Sequence, residues 1–311
     1  MNKTFLTYKE QINFLRNNKQ LTISDEEYAE KILSKMSYYA LIGGYKNLFK
    51  HAPSGKYIYG VTLEELLAFY YFDEELRILF LKYILHVERN IKSLLSYYFC
   101  EKYGENQFEY LSAQNYTITK KNYKDVNRLI NSLNQAISLP SHYNYITHHA
   151  KTYGNIPLWV AVNTFTFGQI SKMYQYMSND IQTKISLNFG NISERQLHQF
   201  LRVLASCRNV CAHGERLYSF NINESIPNLP LHKKLQIPFK NGQYINGKHD
   251  LFAVFIALRY LIDYDDFIFL KTALTRLMKD ILDKCPHINE EKLLNEMGFS
   301  KSWNKIMLFK I

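Results

Sequence analysis

Apolar and polar residues follow the period of an amphipathic helix over most of the chain. Leu, Ile, Lys and Glu dominate long stretches without proline, and this composition favours helix over sheet. The pattern predicts helices over these segments: 26–39, 63–99, 122–138, 158–178, 194–213, 250–262, 265–283 and 289–296. We therefore expect an all-α protein built as a helical bundle.

Residue pairs at several expected helix starts fit capping boxes, in which a Ser or Thr is followed three residues later by Glu or Gln. The pairs are Ser24 with Glu27, Thr62 with Glu65, and Ser193 with Gln196. Gly214 is well placed to end the last of these helices in the left-handed conformation. We interpret the 63–99 run as a short helix and a long one that join near Phe72–Asp73. The 158–178 run is expected to be interrupted near Phe167–Gly168.

Two stretches lack a helical period. Residues 139–157 form a connector rich in Tyr and His, and residues 218–249 contain three of the seven prolines. In the second stretch Asn241 and Gly242 lie between extended residues, which predicts a small β-hairpin. This insertion directly follows the 194–213 helix, so it can cover or border what that helix presents.

Length and composition indicate a folded globular protein. The chain has 311 residues, of which 47% are hydrophobic, and its 25 tyrosines and 20 phenylalanines can form a sizeable core. We expect a small helical appendage over residues 1–60 and one compact helical domain over residues 61–311. The four cysteines show no disulfide framework, which favours a reduced, cytoplasmic protein.

The formal net charge of +10 favours acidic partners, either nucleic acid or an anionic membrane surface. A lysine-rich composition explains the same charge without any partner. The most apolar runs are shorter than about ten residues, whereas a membrane span needs about twenty. The segment MNKTFLTYKEQ lacks the apolar core of a signal peptide. We therefore expect no membrane partner.

The segment RNVCAH, residues 208–213, closes the 194–213 helix with an uncommon set of polar groups. At about 100° per residue, one side of this helix carries the core positions Leu197, Phe200, Leu201, Leu204, Cys207 and Cys211. The other side carries a polar stripe of His198, Arg202, Ser206, Asn209 and His213. A solvated helix face explains such a stripe, although this one lacks the Glu and Lys of a typical solvated face. Buried small side chains explain the two cysteines better than a metal site does.

Arg208 falls on the apolar side of the same helix. Because a buried unpaired guanidinium is costly, Arg208 must meet an acid, bend towards a cleft or lie at a contact with another chain. Glu88 is a candidate partner in a structural ion pair. In the functional interpretation, Arg208 is held rigidly to bind a phosphate. His213, in the last turn, is either structural or an acid–base group.

The stretch RNVCAHGERLY resembles the signature of the HEPN superfamily, in which an Arg, a polar residue and three variable residues precede a His. The surrounding chain is similar to the Abi-like abortive-infection proteins of the AbiD/AbiF type. Further blocks resemble this group in the expected order: SYYALIGGYKNLF (37–49), FDEELRILFLKYILHVERNIKSLL (72–95) and PLWVAVNTFTFGQISKMY (157–174). This chain departs from the group in having Asn163 where an acid is usual and Lys92 where an Arg is usual.

The resemblance implies a HEPN-like helical bundle and metal-independent RNA cleavage without a cofactor, in a bacterial anti-phage protein. The implied catalytic residues are Arg208, which stabilises charge on phosphorus, Asn209, and His213, which transfers a proton. The RNA 2′-hydroxyl is the nucleophile, so the products carry a 2′,3′-cyclic phosphate and a 5′-hydroxyl. The resemblance implies that two such motifs are paired, across a dimer or between tandem domains, and the single motif here predicts a two-fold homodimer.

Further basic residues are candidates for RNA contact. They are Arg195, Arg202 and Arg216 near the motif, Lys92 on the long helix, and Lys120 and Lys121 in the Tyr- and Lys-rich segment 116–124. Exposed Tyr and Lys are also ordinary loop residues. The alternative function is an RNA-binding defence protein that holds a structured non-coding RNA without cutting it. A nucleotide-transferring toxin has no support beyond kinship with the superfamily.

Overall fold

The chain folds as a helical bundle with one small β-hairpin in the part that the computed structural model describes, residues 4–51 and 54–310. The helices are α1 (Tyr8–Asn17), α2 (Glu26–Met36), α3 (Leu63–Tyr103), α4 (Gln107–Leu111), α5 (Tyr123–Ile137), α6 (Asn144–Tyr153), α7 (Leu158–Ala161), α8 (Phe167–Tyr176), α9 (Asn179–Ser186), α10 (Glu194–Ala212), α11 (Pro230–Lys234), α12 (Leu251–Leu261), α13 (Tyr264–Lys284) and α14 (Glu290–Met297). A π-helical turn covers Tyr39–Gly43. The predicted all-α class is confirmed. No helix within the described ranges is long and apolar enough to cross a membrane.

Helix α3 is one uninterrupted element of 41 residues, so the predicted join near Phe72–Asp73 is wrong. Both residues are buried, and the Phe72 ring packs 5.2 Å from that of Phe69. Asp73 Oδ2 accepts hydrogen bonds from Tyr45 Oη at 2.9 Å and from Arg77 Nη1 at 2.8 Å. Because these donors satisfy the carboxylate inside the bundle, the acid does not end the helix.

The same carboxylate holds the chain that follows α10. Asp73 Oδ1 accepts the backbone N–H groups of Leu217 at 3.1 Å and Tyr218 at 2.7 Å. Arg77 Nη1 also donates to the Glu215 carbonyl, 3.4 Å away. Burial raises the pKa of Asp73, whereas the hydrogen bond from Tyr218 and the charge of Arg77 lower it. Asp73 thus joins three distant parts of the chain at one buried point.

The caps at the starts of α2 and α3 differ partly from the prediction. Thr62 caps α3 by accepting the Glu65 N–H, but the Glu65 carboxylate pairs with His287 instead of completing a capping box. Helix α2 is capped by Asp25, so the start predicted at Ser24 is wrong by one residue. Asp is as good an N-cap as Ser, and adjacent cap-forming residues compete for the position.

The predicted connector over residues 139–157 is wrong in part, because it contains helix α6. Of the ten residues of α6 only one is buried, so the helix shows little apolar periodicity. The predicted interruption of the 158–178 run is confirmed. It covers residues 162–166, between α7 and α8, and so ends directly before Phe167. Thr166 is extended there and forms a capping box with Gln169, which starts the new helix.

The predicted Asn-Gly hairpin is confirmed. Strands β1 (Phe239–Lys240) and β2 (Gln243–Tyr244) pair antiparallel, and Asn241 and Gly242 between them have φ angles of 49° and 80°. A type I′ turn requires positive φ at both central residues, which Asn and Gly tolerate best. The insertion around the hairpin is anchored by the fully buried His232, whose two ring nitrogens both bond to backbone groups.

Helix α10 packs against α3, α8, α9 and α12. The N-terminal segment shares this core, since the Tyr45 ring lies 5.9 Å from Phe69 of α3 and 5.6 Å from Tyr218 after α10. Buried side chains from both predicted parts of the chain form one cluster. The division at residue 60 stays a prediction.

We expect Asp73→Asn to lower the free energy of unfolding by roughly 3 kcal/mol. The amide would turn an N–H₂ donor towards the donors that now surround the carboxylate, and Arg77 would lose its counter-charge. Glu74→Gln, at an exposed position of the same helix, is the matched control and should change stability by less than about 0.5 kcal/mol. Urea unfolding measures both effects. Wild-type stability of the Asp73 variant would contradict this role.

Candidate active site at the end of helix α10

Helix α10, which carries the candidate residues Arg208 and Asn209 and ends at His213, has clearly defined ends and a buried side. Ser193 and Gln196 form a complete capping box at its start, as predicted. His213 is the C-cap residue, and Gly214 follows in the left-handed conformation with a φ of 68°. The predicted core positions are all buried: Leu197, Phe200, Leu201, Leu204, Cys207 and Cys211. The periodicity of the sequence therefore predicted the orientation of the helix in the bundle.

The polar stripe on the other side of α10 is not uniformly solvated. Arg202, Asn209 and His213 are exposed, but His198 is half-buried and its Nε2 atom is buried without a hydrogen-bond partner in the described structure. Burial, and to a lesser extent the charge of Arg202, lowers the pKa of His198 to about 4. His198 is therefore neutral at physiological pH.

Arg208 meets an acid on α3. Its Nε lies 3.8 Å from Glu88 Oε2, and the other carboxylate oxygen of Glu88 lies 2.8 Å from Lys92 Nζ. The Glu88 side chain is 7% exposed and that of Arg208 is 31% exposed. One buried carboxylate thus faces two cations, and together they form what we call the Glu88 cluster: Glu88, Lys92 and Arg208.

The contact between Arg208 and Glu88 is one of charge rather than a hydrogen bond. A separation of 3.8 Å is too long for an N–H to O bond, and both Nε and Oε2 are buried without a hydrogen-bond partner in the part of the chain described. A buried polar atom without a partner is costly. Arg208 is therefore attracted to Glu88 without being fully satisfied by it, and its forked end is partly accessible.

His213 is exposed at the end of the helix. Its backbone N–H donates to the Asn209 carbonyl at 3.0 Å, but no hydrogen bond between the two side chains is present in the described structure. Five residues separate Arg208 from His213, which corresponds to about 140° around the helix axis and about 7.5 Å along it. The guanidinium and the imidazole therefore leave α10 in different directions.

The chain directly after α10 is hydrogen-bonded to the segment SYYALIGGYKNLF (37–49), which we call the N-terminal Tyr/Gly block. Arg216 Nη1 donates to the Gly44 carbonyl at 3.1 Å, and Tyr218 Oη donates to the same oxygen at 3.2 Å. A Cβ atom at Gly44 would lie 3.4 Å from Arg216 Cδ, so the arginine side chain passes close to the glycine. Arg216 remains exposed beside the end of α10 while its side chain is held in place.

The other basic residues predicted to contact RNA are spread along α10. Arg202 pairs with Glu224 of the insertion, with 3.1 Å between Nη2 and Oε1. Arg195 lies at the start of the helix, about 27 Å from His213 at 1.5 Å per residue. Arg195 therefore cannot share a phosphate with the motif.

Lys120 and Lys121 lie towards the Arg195 end of α10. Both are exposed, and the nearby Thr117 N–H donates to the carbonyl of Tyr176 at the end of α8. Tyr174, also at that end of α8, reaches the carbonyl of Glu194, next to Arg195. The structure thus brings Lys92, Arg208 and Glu88 together and sets the other lysines apart from them.

Sequence reasoning missed the residues that position the chain after the motif, namely Asp73, Arg77 and Tyr45. A signal was present, because Asp73 and Arg77 stand four residues apart at buried positions of a long apolar run. Such a pair inside a helix indicates a buried ion pair rather than a helix end.

The sequence matches the model of the Abi-like protein family over residues 31–219. This range covers more than half of the chain and contains α10, the Glu88 cluster and Asp73. The chain belongs to the Abi-like protein family. No curated protein and no solved structure matches it. The match ends just after α10, so most of the insertion and helices α12 to α14 lie outside the family segment.

We expect Glu88→Ala to lower the free energy of unfolding of this Abi-like chain by roughly 1–3 kcal/mol, because it leaves Lys92 and Arg208 side by side without a shared counter-charge. Glu101→Ala is the matched control, since the Glu101–Lys184 pair (2.6 Å) is exposed to solvent and should contribute little to stability. Thermal and urea unfolding of both variants test the difference. Equal losses would mean that Glu88 is an ordinary surface acid.

Proposed function

We propose that this Abi-like chain is a metal-independent endoribonuclease of the HEPN type, close to the AbiD/AbiF group, which acts in abortive infection against phage in the bacterial cytoplasm. One observation carries the proposal. Arg208, half-buried against Glu88, and the exposed His213 stand five residues apart on one helix of an Abi-like protein. This arrangement supplies a phosphate-binding group and a proton-transferring group from a single element.

The chemistry follows from these two side chains and from RNA itself. The 2′-oxygen attacks phosphorus, the bond from phosphorus to the 5′-oxygen breaks, and a 2′,3′-cyclic phosphate and a 5′-hydroxyl result. One proton leaves the 2′-hydroxyl and another is delivered to the departing 5′-oxygen, which are the tasks of a general base and a general acid. The guanidinium of Arg208 stabilises the extra negative charge on the pentavalent phosphorus. Asn209 lies on the face of His213, where it can contact the phosphate.

The divergence of the two side chains supports a shared site between two copies of the chain. Arg208 and His213 of one copy point about 140° apart, so a second motif across a two-fold axis is the simple way to surround one phosphate. Two imidazoles would then divide the acid and base roles. The homodimer is therefore part of the proposal.

A second candidate function is RNA binding without cleavage. Arg208 lies near Glu88 without a hydrogen bond to it, and Arg216 is positioned by the Gly44 carbonyl. Together with the net charge of +10, these two cations favour binding of a polyanion whether or not a bond is cut. In that case His213 would contact RNA without transferring a proton.

We expect His213→Ala to slow cleavage at least about 100-fold and Arg208→Ala about 100- to 1,000-fold, because one removes proton transfer and the other charge stabilisation. The matched control is His142→Ala, an exposed histidine outside the site, which should cleave like wild type. Each protein is incubated with total bacterial RNA in EDTA, and the product ends are identified.

Cyclic-phosphate ends that depend on both Arg208 and His213 would support the nuclease. Equal cleavage by wild type and His213→Ala would contradict the proposed nuclease. Retention of RNA by all variants without any cleavage would favour the binding function instead.

We expect a heterodimer of wild type and His213→Ala to have less than about 5% of wild-type activity, because both imidazoles serve one phosphate. Two different affinity tags on co-expressed chains allow this species to be isolated, and sedimentation confirms its size. The matched heterodimer with His142→Ala should be fully active. Half of wild-type activity in the first heterodimer would show that each copy acts alone and would contradict the shared site.

A further inference from the structure

A cleft of about 630 Å³ opens beside the end of α10. One wall is the π-helical turn Tyr39–Gly43, and the other is the chain after the motif, including Gly214, Glu215 and Arg216. Val210 and Gly214, on either side of His213 in the sequence, both line the cleft. Its size falls within the range of small-molecule binding pockets. No role is given to this cleft by the cleavage chemistry.

Tyr39 supplies an exposed aromatic face at the cleft. The residue is 78% exposed, so most of its ring is accessible. A Cβ atom at Gly43 would lie 3.5 Å from Tyr39 Cδ2, so one edge of the ring faces Gly43. The opposite side of the ring is open to a flat ligand. Nucleobases stack on such rings regardless of their identity, since each has a π-face.

Arg216 supplies a positioned cation at the same cleft. Its Nη1 is held by the Gly44 carbonyl, and it forms no salt bridge within the described ranges. The remaining N–H groups of the guanidinium are available to a phosphate or to the edge of a base. The cleft thus offers an aromatic ring and a guanidinium from two different segments.

Glu215 is the acidic residue among those that line the cleft. Its backbone carbonyl accepts from Arg77, so the Asp73 network fixes the position from which the carboxylate extends. A carboxylate accepts hydrogen bonds and donates none, and it therefore suits the exocyclic amino group of adenine, cytosine or guanine. Uracil has no such amino group, and its N3–H lies between two carbonyl oxygens that a carboxylate repels.

We propose that this cleft binds one unstacked base of single-stranded RNA next to the cleaved bond and selects a base with an exocyclic amino group over uracil. Tyr39 stacks on the base, Glu215 accepts its amino group, and Arg216 holds the adjoining phosphate. The inference deepens the proposed function and rests on it for the position of the cleaved bond. Base recognition itself does not require cleavage, so binding can be measured separately.

The probes are fluorescent 12-nucleotide RNAs made of uridine alone or of uridine with one central adenosine, cytidine or guanosine. Binding is followed by fluorescence anisotropy with the full chain carrying His213→Ala, so that no probe is cut. We expect the best of the three substituted probes to bind about tenfold more tightly than the all-uridine probe, a size typical of one stacked and hydrogen-bonded base.

Tyr39→Ala should weaken binding of that best probe about tenfold, whereas Tyr39→Phe, which keeps the ring, should retain it. Tyr59→Ala, at a residue that is 95% exposed elsewhere on the surface, is the matched control and should have no effect. Glu215→Gln should reduce the preference over the all-uridine probe to about twofold or less, because the amide can donate to a uracil carbonyl. Glu105→Gln, at another exposed acid, should leave the preference unchanged.

Equal binding of all four probes, or equal effects of Tyr39→Ala and Tyr59→Ala, would overturn the proposal. Far-UV circular dichroism of each variant excludes unfolding as the cause of weaker binding. The two proposals fail separately. Selective binding that depends on Tyr39, in a wild-type protein that cuts no RNA, would support base recognition by the cleft and contradict the proposed nuclease. Cleavage that depends on His213 but is insensitive to Tyr39 and Glu215 would reject the cleft alone.

Discussion

The position of the site depends on one buried carboxylate, that of Asp73. A carboxylate that is completely buried is tolerable only when its oxygens receive enough hydrogen bonds. Asp73 receives them from Tyr45, from Arg77 and from the backbone of Leu217 and Tyr218, 144 and 145 residues further along the chain. Displacement of any one of these segments leaves a buried charge short of donors. The N-terminal Tyr/Gly block, helix α3 and the chain after α10 are therefore held in one arrangement.

Two of the buried acids of helix α3, Asp73 and Glu88, differ in how their carboxylate oxygens are hydrogen-bonded. Asp73 is satisfied by protein groups on both oxygens. Glu88 forms an ion pair with Lys92 through one oxygen, while its other oxygen faces Arg208 at 3.8 Å without a hydrogen bond. A satisfied network makes its surroundings rigid. The Arg208 Nε and Glu88 Oε2 atoms are buried, so the terminal amino groups of the guanidinium, which form no hydrogen bond in the described structure, are the part of the pair that a ligand can reach. Arg208 is thus held near one place by charge while its forked end remains available to an anion.

The end of α10 is the point where these constraints meet. His213 and Gly214 end the helix, and the next residues run directly to the backbone that Asp73 holds. His213 consequently stands at a fixed helix end, next to Gly214, which lines the cleft formed with Tyr39–Gly43. Arg208 faces the opposite direction, towards α3. The two side chains of one helix therefore face two different surfaces, and this is the reason that we propose a second copy of the chain in the reaction.

Local patterns in the sequence were enough to predict the helical class, the capping box of Ser193, the Asn-Gly turn and the side of α10 that faces the core. These features depend on residues a few positions apart, whose geometry is nearly independent of the rest of the fold. The sequence also placed Arg208 on the apolar side and named Glu88 as its partner, because a buried cation must find an acid. The continuity of α3 through Asp73, the helix hidden in the connector and the cleft at Tyr39 were decided by tertiary structure. Each of these features depends on groups from segments that are distant in the sequence. The local pattern of apolar and polar residues carries no information about such contacts.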